Sequence, residues 1–285
     1  MRATELVRRR ALGALLALLA LASQAADRSY LLLQSTTSTQ ASGLFDALLP
    51  RFTAATGIEV HVIAVGTGQA LANCRAGNGD LALVHAPDAE ARFIADGEGL
   101  AREPLMYNDF VLVGPVKDPA GVRGAPDAAE AFRRIATHGS LFASRGDLSG
   151  THVREQALWK AAGHSPDPAL QRWYRDTGSG MLSTLNVARE LGAYTLTDSA
   201  SWATYTDRQG LAELLAGDST LRNQYSLILV DPRRHPHVHA VEARRLRDWL
   251  LGAEGQAAIA AFRPQGRQLF IPNASTRPPT GQSAP

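Results

Sequence analysis

The 285-residue sequence predicts an α/β fold with largely parallel sheets, divided between two lobes. Short apolar runs alternate along the chain with longer segments whose apolar residues recur at helical spacing. This alternation is typical of parallel sheets, because a helix returns the chain to the same edge after each strand. About 260 residues follow the N-terminal segment, enough for two modest lobes.

Residues 1–25 have the composition of a secretory signal peptide. A basic start, MRATELVRRR, precedes an apolar run from Ala11 to Ala22 and the small residues SQAA. The run is too short to cross a bilayer, which takes roughly 20 residues. We therefore expect cleavage after Ala25 or Ala26 and a periplasmic location.

Removal of this segment changes the net charge of the chain from +2 to −1, since it carries four arginines against one glutamate. A nearly neutral chain without a Lys/Arg block argues against nucleic acid or an anionic membrane as partner, so any anion site must be local. The single Cys74 cannot form an intrachain disulfide. We expect it to pack against the sheet as a small apolar side chain.

The first half of the chain is predicted as four strands alternating with four helices. The helix at 42–57, for example, places Leu44, Leu48 and Phe52 on one face and ends at Gly57. In order, the strands are predicted at 29–34, 58–65, 81–86 and 110–115, and the helices at 42–57, 68–77, 88–97 and 128–136.

The second half continues the pattern with more helices than strands. The Pro- and Ser-rich segment 273–285 is predicted to be a disordered tail. Strands are predicted at 141–144, 193–198 and 225–230, and helices at 151–163, 169–174, 181–192, 241–252 and 254–262.

Four loops that open helices are rich in glycine or hydroxyl side chains. They are STTSTQ (35–40), GTGQ (66–69), SRGDLSGT (144–151) and GSGM (178–181). Ligands of parallel α/β sheets bind beyond the carboxyl ends of the strands, where helix N-termini offer free N–H groups to anions. Any one loop alone is better explained by ordinary N-capping. Together, and with an arginine in one of them, they favour a shared anion site.

The stretch around Ser149 also contains the ingredients of a serine hydrolase, with Asp147 and His152 beside it. A nucleophile elbow has the pattern G-x-S-x-G, whereas this chain reads D-L-S-G-T. His152 is predicted on the first turn of the same helix, where it points along the helix. The hydrolase interpretation is therefore the weaker one.

Histidines offer a second alternative, a metal site. The segment RRHPHVH contains His235, His237 and His239, but no carboxylate or cysteine lies at a matching spacing. We expect these side chains to be solvated. His85 ends a predicted strand near the loops described above, and we expect it to support the site without contacting the ligand.

Eight segments spread over nearly the whole chain carry a resemblance to a known family. They are TTS (36–38), TGIEVHVIAVGTGQAL, GDLALVHAPDAE, MYNDFVLVGPVKDPAGV, SRGDLSGTH, WYRDTGSGM, AYTLTD and NQYSLILV. With these motifs the chain resembles the tungstate-binding component of bacterial ABC transporters, the TupA family, which is a branch of the type II periplasmic binding proteins. The pattern R-x-D-x-S-G-T at 145–151 also resembles phosphate-binding proteins. The chain departs from the family pattern at Ser199 and Leu182.

The resemblance implies two α/β lobes with an oxyanion bound in the cleft between them. We expect the chain to cross between lobes near 110–115 and 223–230, so that lobe 1 comprises 27–112 and 226–272 and lobe 2 comprises 113–225. The anion docks on one lobe, the hinge closes, and a membrane permease recognises the closed form. The family implies no covalent chemistry and no cofactor, and we expect a monomer.

The matched motifs also imply the ligand-binding residues. Gly68 and Met181 would act through backbone N–H groups, whereas Asp147 would orient Arg145 through a charge-assisted pair, and His85 and Asp198 would support the site. The implied oxyanion ligands are Thr37, Ser38, Thr67, Gly68, Arg145, Ser149, Gly150, Thr151 and Met181.

The chemistry of the loops narrows the choice of oxyanion. Phosphate retains a proton at neutral pH and needs an acceptor in its site, whereas tungstate, molybdate and sulfate need donors only. Donor-only loops favour the latter group. The choice of tungstate within this group depends on the family resemblance. Molybdate has nearly the same shape as tungstate, and phosphate and sulfate are the alternative ligands.

Overall fold

The computed structural model describes residues 29–274. The predicted signal peptide (1–25) and residues 275–285 of the predicted tail lie outside the described residues. Within the described range, no helix combines the length and the apolar character needed to cross a membrane.

Strands and helices alternate from the N-terminal side as far as the eighth strand, which confirms the predicted α/β class. The strands are β1 (Tyr30–Thr36), β2 (Glu59–Val65), β3 (Leu81–Val84), β4 (Gly99–Pro115), β5 (Phe142–Ser144), β6 (Tyr174–Asp176), β7 (Thr195–Asp198), β8 (Leu211–Leu215), β9 (Arg222–Val230) and β10 (Ile271–Pro272). The α-helices are α1 (Thr37–Ala41), α2 (Leu44–Thr56), α3 (Thr67–Arg75), α4 (Pro87–Ala95), α5 (Ala128–His138), α6 (Gly150–Ala161), α7 (Met181–Leu191), α8 (Ser199–Thr204), α9 (Ala240–Leu251) and α10 (Ala253–Ala261).

Helix α2 shows how local sequence determines an element. Its face with Leu44, Leu48 and Phe52 is buried, as the helical spacing predicts. The helix ends where Gly57 adopts a left-handed conformation at φ 74° and donates its N–H to the Thr53 carbonyl. Glycine reaches this conformation without the steric cost that a Cβ imposes.

The sheets are mixed, with parallel pairing among the strands that lead into the helix-opening loops. Strand β1 pairs in parallel with both β2 and β3, and β5 pairs in parallel with β6. The pairs of β9 with β3 and β4, and of β4 with β7, β8 and β10, are antiparallel. The prediction of largely parallel sheets missed this second group, because most of β4 was not predicted and β7, β8, β9 and β10 all run antiparallel to it.

Two groups of core side chains lie on either side of a crossing formed by β4 and β9. Leu105 and Met106 of β4 pack with the core that includes β1, β3, α2 and α9, whereas Phe110 and Leu112 of the same strand pack with α5, α6 and β5. Strand β9 faces β4 across this crossing, with Met106 opposite Tyr225. The fold is thus two-lobed, and its lobes share two long strands.

Several elements differ from the sequence prediction. Residues 169–174 were predicted to be helical but form turns held by Asp167, whose carboxylate accepts from the Ala169 N–H at 2.8 Å, and then enter β6. Strand β4 extends well before the predicted 110–115, through a charged and proline-containing segment that hides its periodicity. Helix α8 and strand β8 were not predicted.

The predicted tail also begins later than expected. The backbone N–H of Asn273 donates to the Leu105 carbonyl at 3.1 Å, and that of Ala274 donates to Oε1 of Gln256 at 3.0 Å. These two residues are therefore part of the folded lobe, held by hydrogen bonds that the Pro- and Ser-rich composition does not reveal.

Cys74 lies on α3 and is fully buried in an apolar cluster with Leu71, Val84, Phe93 and Ile228. This confirms the predicted packing against the sheet. Burial, with a smaller contribution from the charge of a neighbouring aspartate, raises the pKa of the thiol to about 12. The thiol is therefore protonated and unreactive at neutral pH.

We expect Cys74→Ala to leave oxyanion affinity within a few-fold of that of the unmodified chain. The substitution removes one small buried group from the far side of α3 and adds no polar atom to the cleft. Calorimetric titration with tungstate would measure this. A loss beyond about a hundredfold would place the thiol at the ligand.

Candidate functional site

Most of the predicted ligand residues meet in one small cavity, which we call the inner cavity. Its volume of about 10 Å³ is close to that of a single water-sized sphere, so even a small tetrahedral anion can enter only if the walls move apart. It is lined by Thr36, Thr37, Ser38, Val65, Gly66, Thr67, His85, Arg145, Ser149 and Gly150.

Strand register explains why these loops meet. In the parallel pair of β1 and β2, Thr36 lies opposite Val65, so the two strands end side by side. Helices α1 and α3 begin at the next residues, and α6 begins at Gly150 on the other lobe. Three helix N-termini therefore converge on the inner cavity, each with free N–H groups and a partial positive charge.

Two of these helices are capped by side chains. Thr36 Oγ1 accepts from the Thr39 N–H at 3.3 Å, and Ser149 Oγ accepts from the His152 N–H at 3.3 Å. Helix α3 has Gly66 at its cap and no side-chain cap bond. Its first N–H groups therefore depend on solvent or a ligand for a partner.

Buried polar atoms without a hydrogen-bond partner mark the same region. Among the described residues, these atoms include Thr67 Oγ1, Thr151 Oγ1 and Arg145 Nε. Leaving a buried donor or acceptor unpaired costs about 1–3 kcal/mol. A ligand with several acceptor oxygens would satisfy the donors of Arg145 and the two hydroxyls together.

Arg145 is the one charged side chain that lines the inner cavity, and it is only 4% exposed. Its Nη2 donates to Asp147 Oδ2 at 2.6 Å, while Asp147 Oδ1 accepts from the Ser149 N–H at 3.1 Å. Burial alone would raise the pKa of Asp147, but hydrogen bonds from Ser149 and the charge and hydrogen bond of Arg145 lower it below its usual value. Asp147 does not line the inner cavity and is placed to orient the guanidinium.

His85 lies at the base of the inner cavity, stacked on Tyr225 with ring centroids 4.6 Å apart. Its Nδ1 is 3.1 Å from Asn223 Oδ1, and the Asn223 amide donates its Nδ2 to Asn108 Oδ1 at 2.8 Å. The Asn223 oxygen therefore faces the ring, so Nδ1 carries the proton and Nε2 accepts from Thr36 Oγ1 at 3.2 Å.

The ring of His85 is neutral at physiological pH. Burial is the largest influence and lowers its pKa to about 4, with the positive charge of Arg145 acting in the same direction and Asp198 and Asn223 opposing it. Arg145 therefore supplies the full positive charge of the inner cavity, and His85 holds the hydroxyl of Thr36 in place.

The geometry around Ser149 does not match a catalytic triad. Ser149 Oγ is engaged as the cap of α6, and His152 Nδ1 accepts from the Leu148 N–H at 3.0 Å. With Nδ1 accepting from the backbone, the neutral ring carries its proton on Nε2, the nitrogen that a serine nucleophile would need unprotonated as its base. Leu148 has a left-handed backbone at φ 56°, unusual for a leucine, and this hydrogen bond supports it.

The other predicted site residues lie around the inner cavity without lining it. Gly68 faces a larger neighbouring cavity, and Thr151 is buried on the first turn of α6. The Met181 side chain packs into an apolar cluster of lobe 2, because its position at the start of α7 turns it towards that core. Asp198 caps α8 and accepts from the Ala200 and Ser201 N–H groups.

The histidines of RRHPHVH do not form a metal site. His237 Nε2 lies 2.9 Å from the Gly77 carbonyl, and His239 Nδ1 lies 3.1 Å from Asp80 Oδ2. The residues that the structure describes contain no group of three or more histidine, cysteine or acidic side chains that could hold a metal ion.

Contributors to the site that were not predicted include two cap residues and an asparagine. Thr36 and Gly66 line the inner cavity as cap residues, and Asn223 fixes the tautomer of His85. The cap positions could have been found from the strand ends, one residue before each predicted helix. Asn223 gives no local signal, since it reaches His85 from β9 across the sheet.

Comparison with known proteins shows the family to which the chain belongs. A PBP superfamily domain matches residues 22–254. The tungstate-binding protein TupA of Peptoclostridium acidaminophilum is 41% identical over 249 residues, covering 86% of each chain.

Two solved structures are also similar. The tungstate-binding protein TupA from Desulfovibrio alaskensis is 45% identical, with a TM-score of 0.76 over 87% of this chain and 100% of that one. The tungstate ABC transporter structure from Geobacter sulfurreducens is 45% identical, with a TM-score of 0.75 over 82% of this chain and 98% of that one. Since the family match spans most of the chain and the relatives exceed 40% identity over most of both lengths, the chain belongs to the PBP superfamily, within the family of the tungstate-binding proteins TupA.

Proposed function

We propose that this chain is the extracytoplasmic binding component of an ABC transporter and that it captures tungstate between its two lobes. The observation that carries the proposal is the inner cavity itself. Three helix N-termini, several hydroxyls and one buried arginine converge there, and polar atoms in and beside it lack partners. A compact dianion with four acceptor oxygens complements this set.

The composition of the lining discriminates between oxyanions. No carboxylate lines the inner cavity, and the neutral His85 uses Nε2 to accept from the Thr36 hydroxyl. A phosphate that keeps its proton would find no carboxylate to accept it, and that mismatch would cost affinity. A fully ionised tetrahedral anion avoids that cost.

Tungstate is preferred within this group because relatives that match most of this chain carry that ligand in their names. Molybdate has nearly the same shape and charge, and we propose it as the second ligand of the same cavity. We propose that sulfate, which carries the same charge but is smaller, binds less tightly than either metal oxyanion. The direct ligands we propose are Thr37, Ser38, Thr67, Arg145, Ser149, Gly150 and Thr151, with backbone N–H groups of Gly68 and Met181.

The function we propose involves no turnover. The members of this family are substrate-binding proteins of transporters. The engagement of Ser149 Oγ as a helix cap, and of His152 with the Leu148 N–H, supports binding over nucleophilic attack. Hydrolysis of ester substrates by the purified chain, abolished by Ser149→Ala, would contradict this.

Delivery requires a membrane permease, which we propose recognises the closed form of a periplasmic monomer. The lobes share the strands β4 and β9, which would act as the hinge. Closure would bring the donors of α6 onto an anion already docked against α1 and α3.

The ligand assignment is tested by thermal unfolding and calorimetry. A ligand that binds only the folded chain stabilises it by about 4 kcal/mol at a thousandfold excess over Kd. We therefore expect tungstate to raise the melting temperature by several degrees, and molybdate to do so to a comparable extent. Phosphate and sulfate at the same concentration should have little effect. Equal shifts with tungstate and phosphate would contradict the tungstate assignment and leave the fold unaffected.

A further inference from the structure

A second, larger cavity adjoins the inner cavity, and we call it the outer cavity. Thr67, His85 and Gly150 form part of the walls of both. Its volume is about 560 Å³, so it admits a hydrated anion that the inner cavity cannot accommodate. An anion that arrives from solvent through this opening reaches the inner cavity directly.

Three arginines line the outer cavity from different parts of the fold. Arg92 lies on α4 in lobe 1, Arg154 lies on α6 in lobe 2, and Arg222 begins β9 at the crossing between the lobes. Asp88 is the one carboxylate in the lining. With His85 neutral, the side chains that line the outer cavity carry a net charge of about +2.

Two of these guanidinium groups, those of Arg92 and Arg154, form no ion pair with a carboxylate among residues 29–274. Asp109 lies opposite Arg222 in the pair of β4 and β9, and the two charges attract each other without forming a close ion pair. The Arg154 Nη2 donates to the Arg222 carbonyl at 3.5 Å, which places the Arg154 side chain against the start of β9. Arg222 lies over the Tyr107 ring at 4.5 Å, an arrangement that leaves its N–H groups free at the edge.

We propose that Arg92, Arg154 and Arg222 form a transient docking site that attracts the oxyanion into the cleft and passes it to Arg145. This inference rests on the proposed function, since it concerns how the same dianion reaches its site. Narrow clefts lined by one sign of charge focus the electric field and raise association rates by about 10- to 1,000-fold. The half-exposed to exposed arginines remain hydrated, so they attract the anion without holding it as tightly as the buried Arg145.

Association and dissociation rates separate this role from direct ligation. Steering by rim charges changes the association rate and its salt dependence, whereas loss of a buried ligand group changes the dissociation rate. We expect Arg92→Gln, Arg154→Gln and Arg222→Gln each to slow tungstate association by a few-fold, and the triple variant to slow it about 10- to 100-fold. Dissociation should change by less than about twofold.

The experiment is stopped-flow fluorescence of the full chain mixed with tungstate, at about 20 mM and about 500 mM salt. The association rate of the unmodified chain should fall steeply as salt increases, whereas that of the triple variant should hardly change. Arg154→Lys, which keeps the charge, should associate almost as fast as the unmodified chain. Arg244→Gln serves as the matched control, because Arg244 is exposed on α9 and lines neither cavity.

The outcomes are distinguishable. A triple variant that associates at the unmodified rate, or an effect of Arg244→Gln equal to that of the cleft variants, would overturn the docking site while leaving tungstate binding in place. Faster dissociation of tungstate with an unchanged association rate would make the three arginines direct ligands and would also overturn the docking site. Failure of the unmodified chain to bind tungstate at all would overturn the proposed function instead.

Discussion

Replacement of Arg145 by alanine is expected to weaken tungstate binding by about 30- to 4,000-fold, from a loss of about 2–5 kcal/mol. Arg145 supplies the full positive charge of the inner cavity, and it is almost completely buried. Truncation removes the largest electrostatic attraction for a dianion and leaves Asp147 unpaired beside it. Calorimetric titration would measure the change in Kd.

Two companion variants identify the source of this effect. Arg145→Lys keeps the charge but loses the two-pronged donor geometry, so its affinity should lie between those of alanine and arginine. Asp147→Asn keeps the shape of the partner but removes its charge, and it should weaken binding less than Arg145→Ala. Circular dichroism must show that α6 still forms in each. Normal tungstate affinity of Arg145→Ala would remove the arginine from the site.

A methyl group added at Gly150 is expected to weaken tungstate binding roughly 5- to 150-fold, from about 1–3 kcal/mol of steric conflict. A Cβ at this position would lie 2.9 Å from His85 Nδ1 and 3.0 Å from the His85 backbone oxygen. Neither neighbour can move easily, since His85 is hydrogen-bonded to Asn223 and stacked on Tyr225. The start of α6 must therefore move away from lobe 1. This movement separates the donors of α6 from those of α1 and α3, which together bind the anion.

Gly180→Ala provides the matched control for Gly150→Ala. Gly180 is the cap residue immediately before α7, at φ −65°, and a Cβ there meets nothing within 4 Å. We expect its affinity to remain within a few-fold of that of the unmodified chain. If both variants lost affinity equally, the effect would lie in helix capping and not in the contact between Gly150 and His85.

The loops of the site could be predicted because their chemistry is local. Arg145, Ser149 and Thr67 stand in short motifs at helix starts, and the structure brings all three to one cavity. Met181 stands in an equally suggestive loop, yet its side chain packs into lobe 2. A residue at a helix start can face the ligand or the core, and the sequence pattern alone does not distinguish these two directions.

The fold was predicted in class and in most of its elements, but not in its strand directions. The first part of β4 was missed because it contains charged residues and Pro104, with register shifts on either side of that segment. Such a strand has no regular alternation, since its burial depends on β9, which lies far away in the sequence. Long-range pairing of this kind is decided by tertiary contacts.

The antiparallel pair of β4 and β9 has a consequence for how the chain folds. Arg102 is paired with Ile228, and Asp109 is paired with Arg222. Almost all of the second lobe therefore lies, in the sequence, between the two strands that must pair. Bringing the two strands together closes a loop of more than a hundred residues and costs conformational entropy before the contacts between the strands form. Folding is therefore expected to be slow. Because each lobe also takes part of its core from these two strands, neither lobe has a complete interior without the other. The two lobes therefore form a single cooperative folding unit.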